Sequence, residues 1–296
     1  MRVVIAGASG FLGTHLTEHL RVHGHEVTAL VRREAHGHRE SSWNPYAGVI
    51  DRDLIEAADL VVNVAGSPLL GNPHSGRYRR NLMESRVVTT RVLAEAIAKS
   101  DAPPALLANN GTSYYGDHGS DPVTEDSDSR GEALLTRVTR AWQEATEPAK
   151  DAGARVCVLR TAPVMDRTSI TLRLLRFLAM TGLGARLGKG DQHFPVISLR
   201  DWVGAATYLA ESRDVSGVFN LSCPNPPTNR EFTEALARAL HRPAFLAVPA
   251  PLLRLGAGQL APELLNSTNV RPAALERAGY DFEDEDVREV LASALA

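Results

Sequence analysis

Through the first half of the chain, short apolar runs rich in β-branched residues alternate with stretches whose apolar residues recur at helical spacing. Residues 3–6, 26–31, 60–64, 105–108 and 156–159 read as buried strands. Helical patterns fill the intervals at 11–23, 75–99 and 131–152. The longest repeats Leu82, Val88, Val92, Leu93 and Ile97, which suits one buried face, and it stops before the breaker Ala102-Pro103-Pro104. Strand and helix in such alternation predict an α/β fold with a doubly wound parallel sheet of the Rossmann type.

After Arg160 the pattern changes. Helical stretches at 168–180, 201–212 and 229–241 are separated by glycines at 182, 184, 188 and 190 and by Pro224, Pro226 and Pro227. A β-branched run at 218–221 is placed to return to the sheet, and 245–248 is extended. The expected organisation is a dinucleotide-binding domain over 1–165, rejoined by the strand near 218–221. A smaller, partly interleaved α/β lobe covers 166–296.

Composition narrows the partners. At 296 residues and 44% hydrophobic the chain has ample material for a core, and its net charge of −3 comes with no basic tail. Nucleic acid is therefore not an expected partner. No apolar run approaches the ~18 residues of a membrane span, and the N-terminal apolar run is too short for a secretory signal. The expectation is a cytoplasmic protein with a small-molecule substrate and no membrane partner, a homodimer being possible. Cys157 and Cys223 fit no metal spacing and read as inert thiols, so no metal site is expected.

The chemistry starts at Gly7-Ala8-Ser9-Gly10-Phe11-Leu12-Gly13, between the first strand and the first helix. Gly7 permits the tight turn, Gly10 lets backbone amides approach a pyrophosphate, and Gly13 allows close packing. The helix opened by Phe11 and Leu12 adds the partial positive charge of its N-terminus. At the end of the second strand an NAD-binding chain would carry an acid for the ribose 2′-hydroxyl. Here stand Arg32 and Arg33, which suit a 2′-phosphate, with Ser9 able to add a hydroxyl. The expected cofactor is NADP(H) in preference to NAD(H). The alternative is that both arginines are solvated at a strand end.

With that loop, Trp43-Asn44-Pro45, Asn63-Val64-Ala65-Gly66, Ser85-Arg86, Tyr114-Tyr115-Gly116 and Leu187-Gly188-x-Gly190-x-Gln192 in order, the sequence resembles a known family. These are the atypical extended short-chain dehydrogenase/reductases labelled "epimerase family protein" or nucleoside-diphosphate-sugar epimerase. The resemblance runs nearly end to end. It implies that Val64, Ala65 and Gly66 line the adenine-ribose and pyrophosphate path. It also implies that Asn110 and the residues up to Ser113 lie near the nicotinamide, and that Pro163 and Val164 back its carboxamide.

In that superfamily a Tyr and a Lys four residues later transfer the proton, with a Ser or Thr orienting the substrate oxygen. No Tyr occurs between Gly116 and Lys150, no Lys precedes Lys150 there, and Gly111 stands at the usual serine place. The nearest replacements are Thr112, Ser113 and Tyr114, taken as the candidate catalytic residues. Arg137 or Arg140 could serve as a cation beside a phenol, but a solvated helix face is favoured. Glu125 and Asp126 read as solvent-facing, and His118 as incidental. His193 is a candidate for the cleft, while Trp43, Tyr78 and Phe194 are either cleft wall or core. Three readings stay open: an NADP(H)-dependent oxidoreductase or isomerase of a small carbonyl or hydroxyl substrate, a cofactor-binding sensor or partner module without turnover, and a cofactor that is only structural, filling a cleft used for something else.

Overall fold

In the computed structural model every residue except Leu70 and Pro73 is described. The apolar runs become strands because a parallel sheet covered on both faces buries consecutive residues rather than alternate ones. Strand β1 (Arg2–Ala6) shows this, with Val3 to Ala6 all at 2% exposure or less. With β2 (Glu26–Val31), β3 (Glu40–Ser42), β4 (Leu60–Asn63) and β5 (Ala105–Gly111) it forms most of a seven-stranded sheet. From one edge the order is Gly217–Leu221, Val156–Thr161, β5, β4, β1, β2, β3. The paired strands from β3 through β5 run parallel, with Val4 beside Thr28 on one flank and Val61 on the other. Strand order reverses between β1 and β4, the crevice where such sheets bind ligands at their carboxyl ends.

Helix α1 (Phe11–Val22) follows β1 directly, α2 (Arg52–Glu56) precedes β4, and α3 (Gly76–Ile97) spans the link to β5. Ser75 caps α3 by accepting from the Tyr78 amide. Two elements that the pattern did not announce, β3 and α2, are three and five residues long, too short for a period to show. The helix expected over 131–152 is two, Leu134–Glu144 and Glu147–Asp151. Pro148 divides them: it is tolerated in the first turn of the second helix and would break the interior of one continuous helix.

The chain divides into two compact units. One comprises Met1–Asn110, Val138–Leu159 and Val203–Val218. Its core is built from Val4, Trp43, Ile55, Val61, Leu93, Ile97 and Leu106. The other comprises Gly111–Arg137, Arg160–Trp202 and Phe219–Ala296, with a core around Met165, Leu172, Val196, Phe232 and Leu291. Three short parallel ladders tie the second unit together: Val164–Met165 with Ile197–Ser198, Ala185–Leu187 with Leu246–Val248, and Pro122–Val123 with Asn269–Val270. Its C-terminal stretch is stapled by Asp201, which accepts the Glu283 and Asp284 amides at 2.9 Å each, and by Arg200, which forks onto Asp284 at 2.7 and 2.5 Å.

Candidate functional site

The turn after β1 is closed by the Gly10 amide donating to the Gly7 carbonyl at 3.0 Å. Gly7 has φ +89°, and a Cβ there would stand 2.7 Å from the Ala65 amide nitrogen, so the loop after β4 presses on this turn. A Cβ at Gly13 would stand 2.1 Å from the Gly7 carbonyl oxygen, closer than any real Cβ contact. Both positions are therefore closed to other residues by neighbouring backbone. The first-turn amides of Phe11, Leu12 and Gly13 are not spent within the described residues, and Gly10 caps the helix without a side chain. Ser9 and Gly10 are exposed at the mouth of the turn. A ring of free amides at a helix N-terminus is a cradle for a phosphate.

The two arginines at the end of β2 part company. Arg33 is locked in a fork with Glu40, Nη1 to Oε2 at 2.7 Å and Nη2 to Oε1 at 2.6 Å, and also donates to the Glu34 carbonyl at 2.8 Å. Those bonds, with one from the His36 amide, hold the Glu40 carboxyl down to about 2. Arg32 is exposed and forms no ion pair among the described residues. Arg33 thus faces a carboxylate partner that the short strand β3 delivers, leaving Arg32 as the unengaged guanidinium of the pair.

The loop after β4 is fixed by a buried polar network. Asn63 Oδ1 accepts from the Ala65 amide at 3.0 Å, and its amide group donates to Thr90 at 2.8 Å. Thr90 also accepts from the Trp142 indole at 2.8 Å. Arg86, one turn earlier on α3, donates to the Ser67 carbonyl at 3.0 Å and the Leu82 carbonyl at 3.1 Å, and its guanidinium lies 5.3 Å from the Trp142 ring centre. Burial lowers Arg86 to about 10. Arg86, Thr89 and Thr90 are buried, while Val88 and Val92, read as part of the buried face, are only half-buried. The buried face of α3 is polar where it meets this loop, because unpaired backbone there needs donors and acceptors. Val64, Ala65 and Gly66 are accordingly held in one place, and a Cβ on Gly66 would stand 3.3 Å from the Arg86 guanidinium carbon.

At the end of β5, Asn110 is buried and donates its side-chain amide to the Thr139 carbonyl at 3.0 Å. Thr112, Ser113 and Tyr114 form a single tight turn immediately beyond. Thr112 is buried, and the Ser113 hydroxyl donates to Glu263 at 2.7 Å. The Tyr114 ring lies under the guanidinium of Arg160 at 3.5 Å, and Arg160 also donates to the Tyr115 hydroxyl at 2.8 Å. The cation beside these phenols is thus Arg160, itself buried, while Arg137 is exposed as the solvated reading has it. Tyr115 donates to Asn220 at 2.6 Å, and burial outweighs the arginine in pushing its phenol up to about 12, so it holds its proton. Val164 is buried in its ladder, and the Pro163 carbonyl accepts the Ile197 amide at 3.2 Å.

Other candidates resolve differently. Glu125 does not face solvent: it accepts the Asn220 amide at 2.9 Å and the Ala274 amide at 3.1 Å, and burial raises its carboxyl. His118 is buried rather than loose on a loop. Trp43 is core, and Phe194 packs edge-on against Phe232 at 5.0 Å. Tyr78 donates to the Leu69 carbonyl. His193 has a buried Nδ1 without a partner among the described residues, and burial lowers its imidazole. Gly182, Gly188 and Gly190 all have left-handed φ, so turn geometry accounts for them. Both cysteines are free and buried, which pushes Cys157 up to about 11 and Cys223 to about 12. Among the described residues no cluster of three metal-ligating side chains occurs, and no helix is long and apolar enough to cross a membrane.

A glycine cradle at the strand-order switch of a parallel sheet defines a Rossmann-type protein of the dinucleotide-binding class. The chain belongs to the NAD dependent epimerase/dehydratase family, whose model matches residues 3–222, while a domain of unknown function (DUF1731) matches 248–294. It is 40% identical over 294 residues to the epimerase family protein Mb2239 of Mycobacterium bovis, covering 99% of this chain and 97% of that one. The structure of human epimerase family protein SDR39U1 (isoform 2) with NADPH superposes with a TM-score of 0.87 at 30% identity, over 99% of each chain. MoeE5 in complex with UDP-glucose and NAD aligns at a TM-score of 0.78 and 23% identity, over 100% of this chain and 97% of that one, which carries the fold alone.

Proposed function

We propose that this chain binds NADP(H) in preference to NAD(H) and acts as an oxidoreductase or isomerase on a small carbonyl or hydroxyl substrate, without a Tyr/Lys proton relay. The observation that carries the reading is the cradle, where backbone excludes a Cβ at Gly7 and Gly13 and unspent amides open α1. The human relative with NADPH supports the same cofactor. In this reading the pyrophosphate sits on the amides of Phe11, Leu12 and Gly13, with Val64, Ala65 and Gly66 alongside, and Arg32 takes the 2′-phosphate, helped by Ser9. Bound there, the nicotinamide supplies or accepts hydride. Thr112, Ser113 and Tyr114, just past β5, hold the substrate oxygen. The setting is the cytoplasm.

Isothermal calorimetry with NADPH and NADH tests the first half. The expected result is tighter NADPH binding by roughly 10- to 150-fold, the range of one charge-assisted contact. Equal dissociation constants overturn the preference. The second half is tested by following the nicotinamide absorbance with a panel of aldehydes, ketones and nucleotide sugars. A second reading, a sensor that binds NADPH without turnover, is favoured by one observation: the helix Leu134–Glu144 contains neither Tyr nor Lys. Tight binding with no turnover of any panel member would establish it.

A further inference from the structure

Ser113 stands two residues beyond the last residue of β5, and ligands of parallel sheets collect at strand carboxyl ends. Its hydroxyl meets Oε2 of Glu263 at 2.7 Å, across 150 residues of sequence. Glu263 lies on the short helix Ala261–Leu265, which carries no other acid. Its second oxygen, Oε1, is buried without a hydrogen-bond partner among the described residues. Burial pushes the carboxyl up from its ordinary value, and the Ser113 hydroxyl and the Leu135 amide offset only part of that. Neither of those neighbours is charged, and among the described residues no ion pair involves Glu263, so only these two neutral hydrogen bonds favour an ionised form.

We propose that Glu263 is the proton reservoir of this site and acts through the Ser113 hydroxyl, in place of the absent Tyr/Lys pair. The proposal rests on the oxidoreductase reading above. A reduced nicotinamide held on the glycine cradle would supply the hydride, with its electron pair, that the carbonyl carbon takes, and would be left oxidised. As the carbonyl π bond breaks, the substrate oxygen takes the proton of Ser113 Oγ and becomes a hydroxyl. The proton on Glu263 Oε2 moves to Ser113 Oγ, leaving a carboxylate that water reprotonates. In the ionised state Ser113 donates to Glu263; in the protonated state the donation reverses and frees the serine proton for the substrate. Ser113 touches the substrate, whereas Glu263 positions and recharges it.

Two measurements on the full chain test this. The first is an infrared pH titration of the carboxyl band, with and without NADPH. A carboxyl titrating above the usual range is expected, absent from Glu263→Gln and shifted in frequency in Ser113→Ala. The second is NADPH-dependent reduction of 4-nitrobenzaldehyde as a probe carbonyl. Glu263→Gln should lower kcat/KM by roughly 10²- to 10⁴-fold, the usual worth of a positioned acid, and leave the NADPH dissociation constant unchanged. In the wild type the rate should fall as pH rises through the Glu263 ionisation, because the acid form is the active one, and in Glu263→Gln that fall should vanish. If Glu263→Gln does not fold, the frequency shift and rate loss of Ser113→Ala decide. The proposal is overturned if no carboxyl titrates above the usual range, or if Glu263→Gln keeps the wild-type rate and pH profile. A wild type that shows the raised carboxyl and binds NADPH, yet reduces no carbonyl, removes the enzyme reading and the proton-donor role with it, and leaves the Ser113–Glu263 pair as a structural contact.

Discussion

Two adjacent arginines at the end of β2 read identically in sequence and differ in structure. Arg33 already has a carboxylate in its fork, and a phosphate would have to compete with Glu40 for it. Arg32 has no such rival. Arg32→Ala should therefore remove most of the NADPH-over-NADH preference, while Arg33→Ala should remove little. Glu40→Gln should strengthen NADPH binding by releasing the second guanidinium and deleting a negative charge. Calorimetric dissociation constants for the three variants check this; a preference that survives Arg32→Ala shifts the assignment to another residue. The glycines and arginines were legible because their chemistry is local in sequence. Glu40 was not, since only the pairing of β3 with β2 brings it to Arg33. Glu263 was invisible for the same reason at larger range: nothing in Pro262-Glu263-Leu264-Leu265 marks it off from an ordinary helix turn.

Among the elements, α1 and the turn before it are the most tightly determined. The Gly7 carbonyl accepts from Gly10 on one side and blocks any side chain at Gly13 on the other. Gly13→Ala would have to move that backbone, and overpacking of this sort costs typically ~1–3 kcal/mol. We expect a lower urea midpoint together with loss of measurable NADPH binding. A variant that lost stability but kept wild-type affinity would show that the cradle tolerates a displaced helix. Strands whose burial is continuous were readable from the apolar pattern, as β4 was to within one residue. Helix faces were harder. On α3 the apolar repeat implied a greasy buried stripe, whereas Arg86, Thr89 and Thr90 are buried to satisfy the loop after β4. A polar residue facing a polar loop is indistinguishable in sequence from one facing water.

At the scale of the molecule, the organisation of the chain separates this protein from a string of independent modules. The first core takes its last contribution from Val203–Val218, and the second draws on Gly111–Arg137 as well as the C-terminal third. A fragment of residues 1–165 would lack that contribution, and we expect it to show no cooperative thermal transition by circular dichroism. A sharp transition would show that the sheet folds without the strand Gly217–Leu221.

The path of the chain also sets a timetable for its birth. It passes from one unit to the other after Asn110, Arg137, Leu159, Trp202 and Val218. On the ribosome, synthesis proceeds at about 5–20 residues per second, and domains otherwise fold as they emerge. Here the N-terminal unit is complete only once residue 218 has cleared the exit tunnel, and the other only once the helix Val287–Leu295 is made. We expect the nascent polypeptide to emerge with its sheet incomplete, a natural client for chaperones that shield unpaired strand edges.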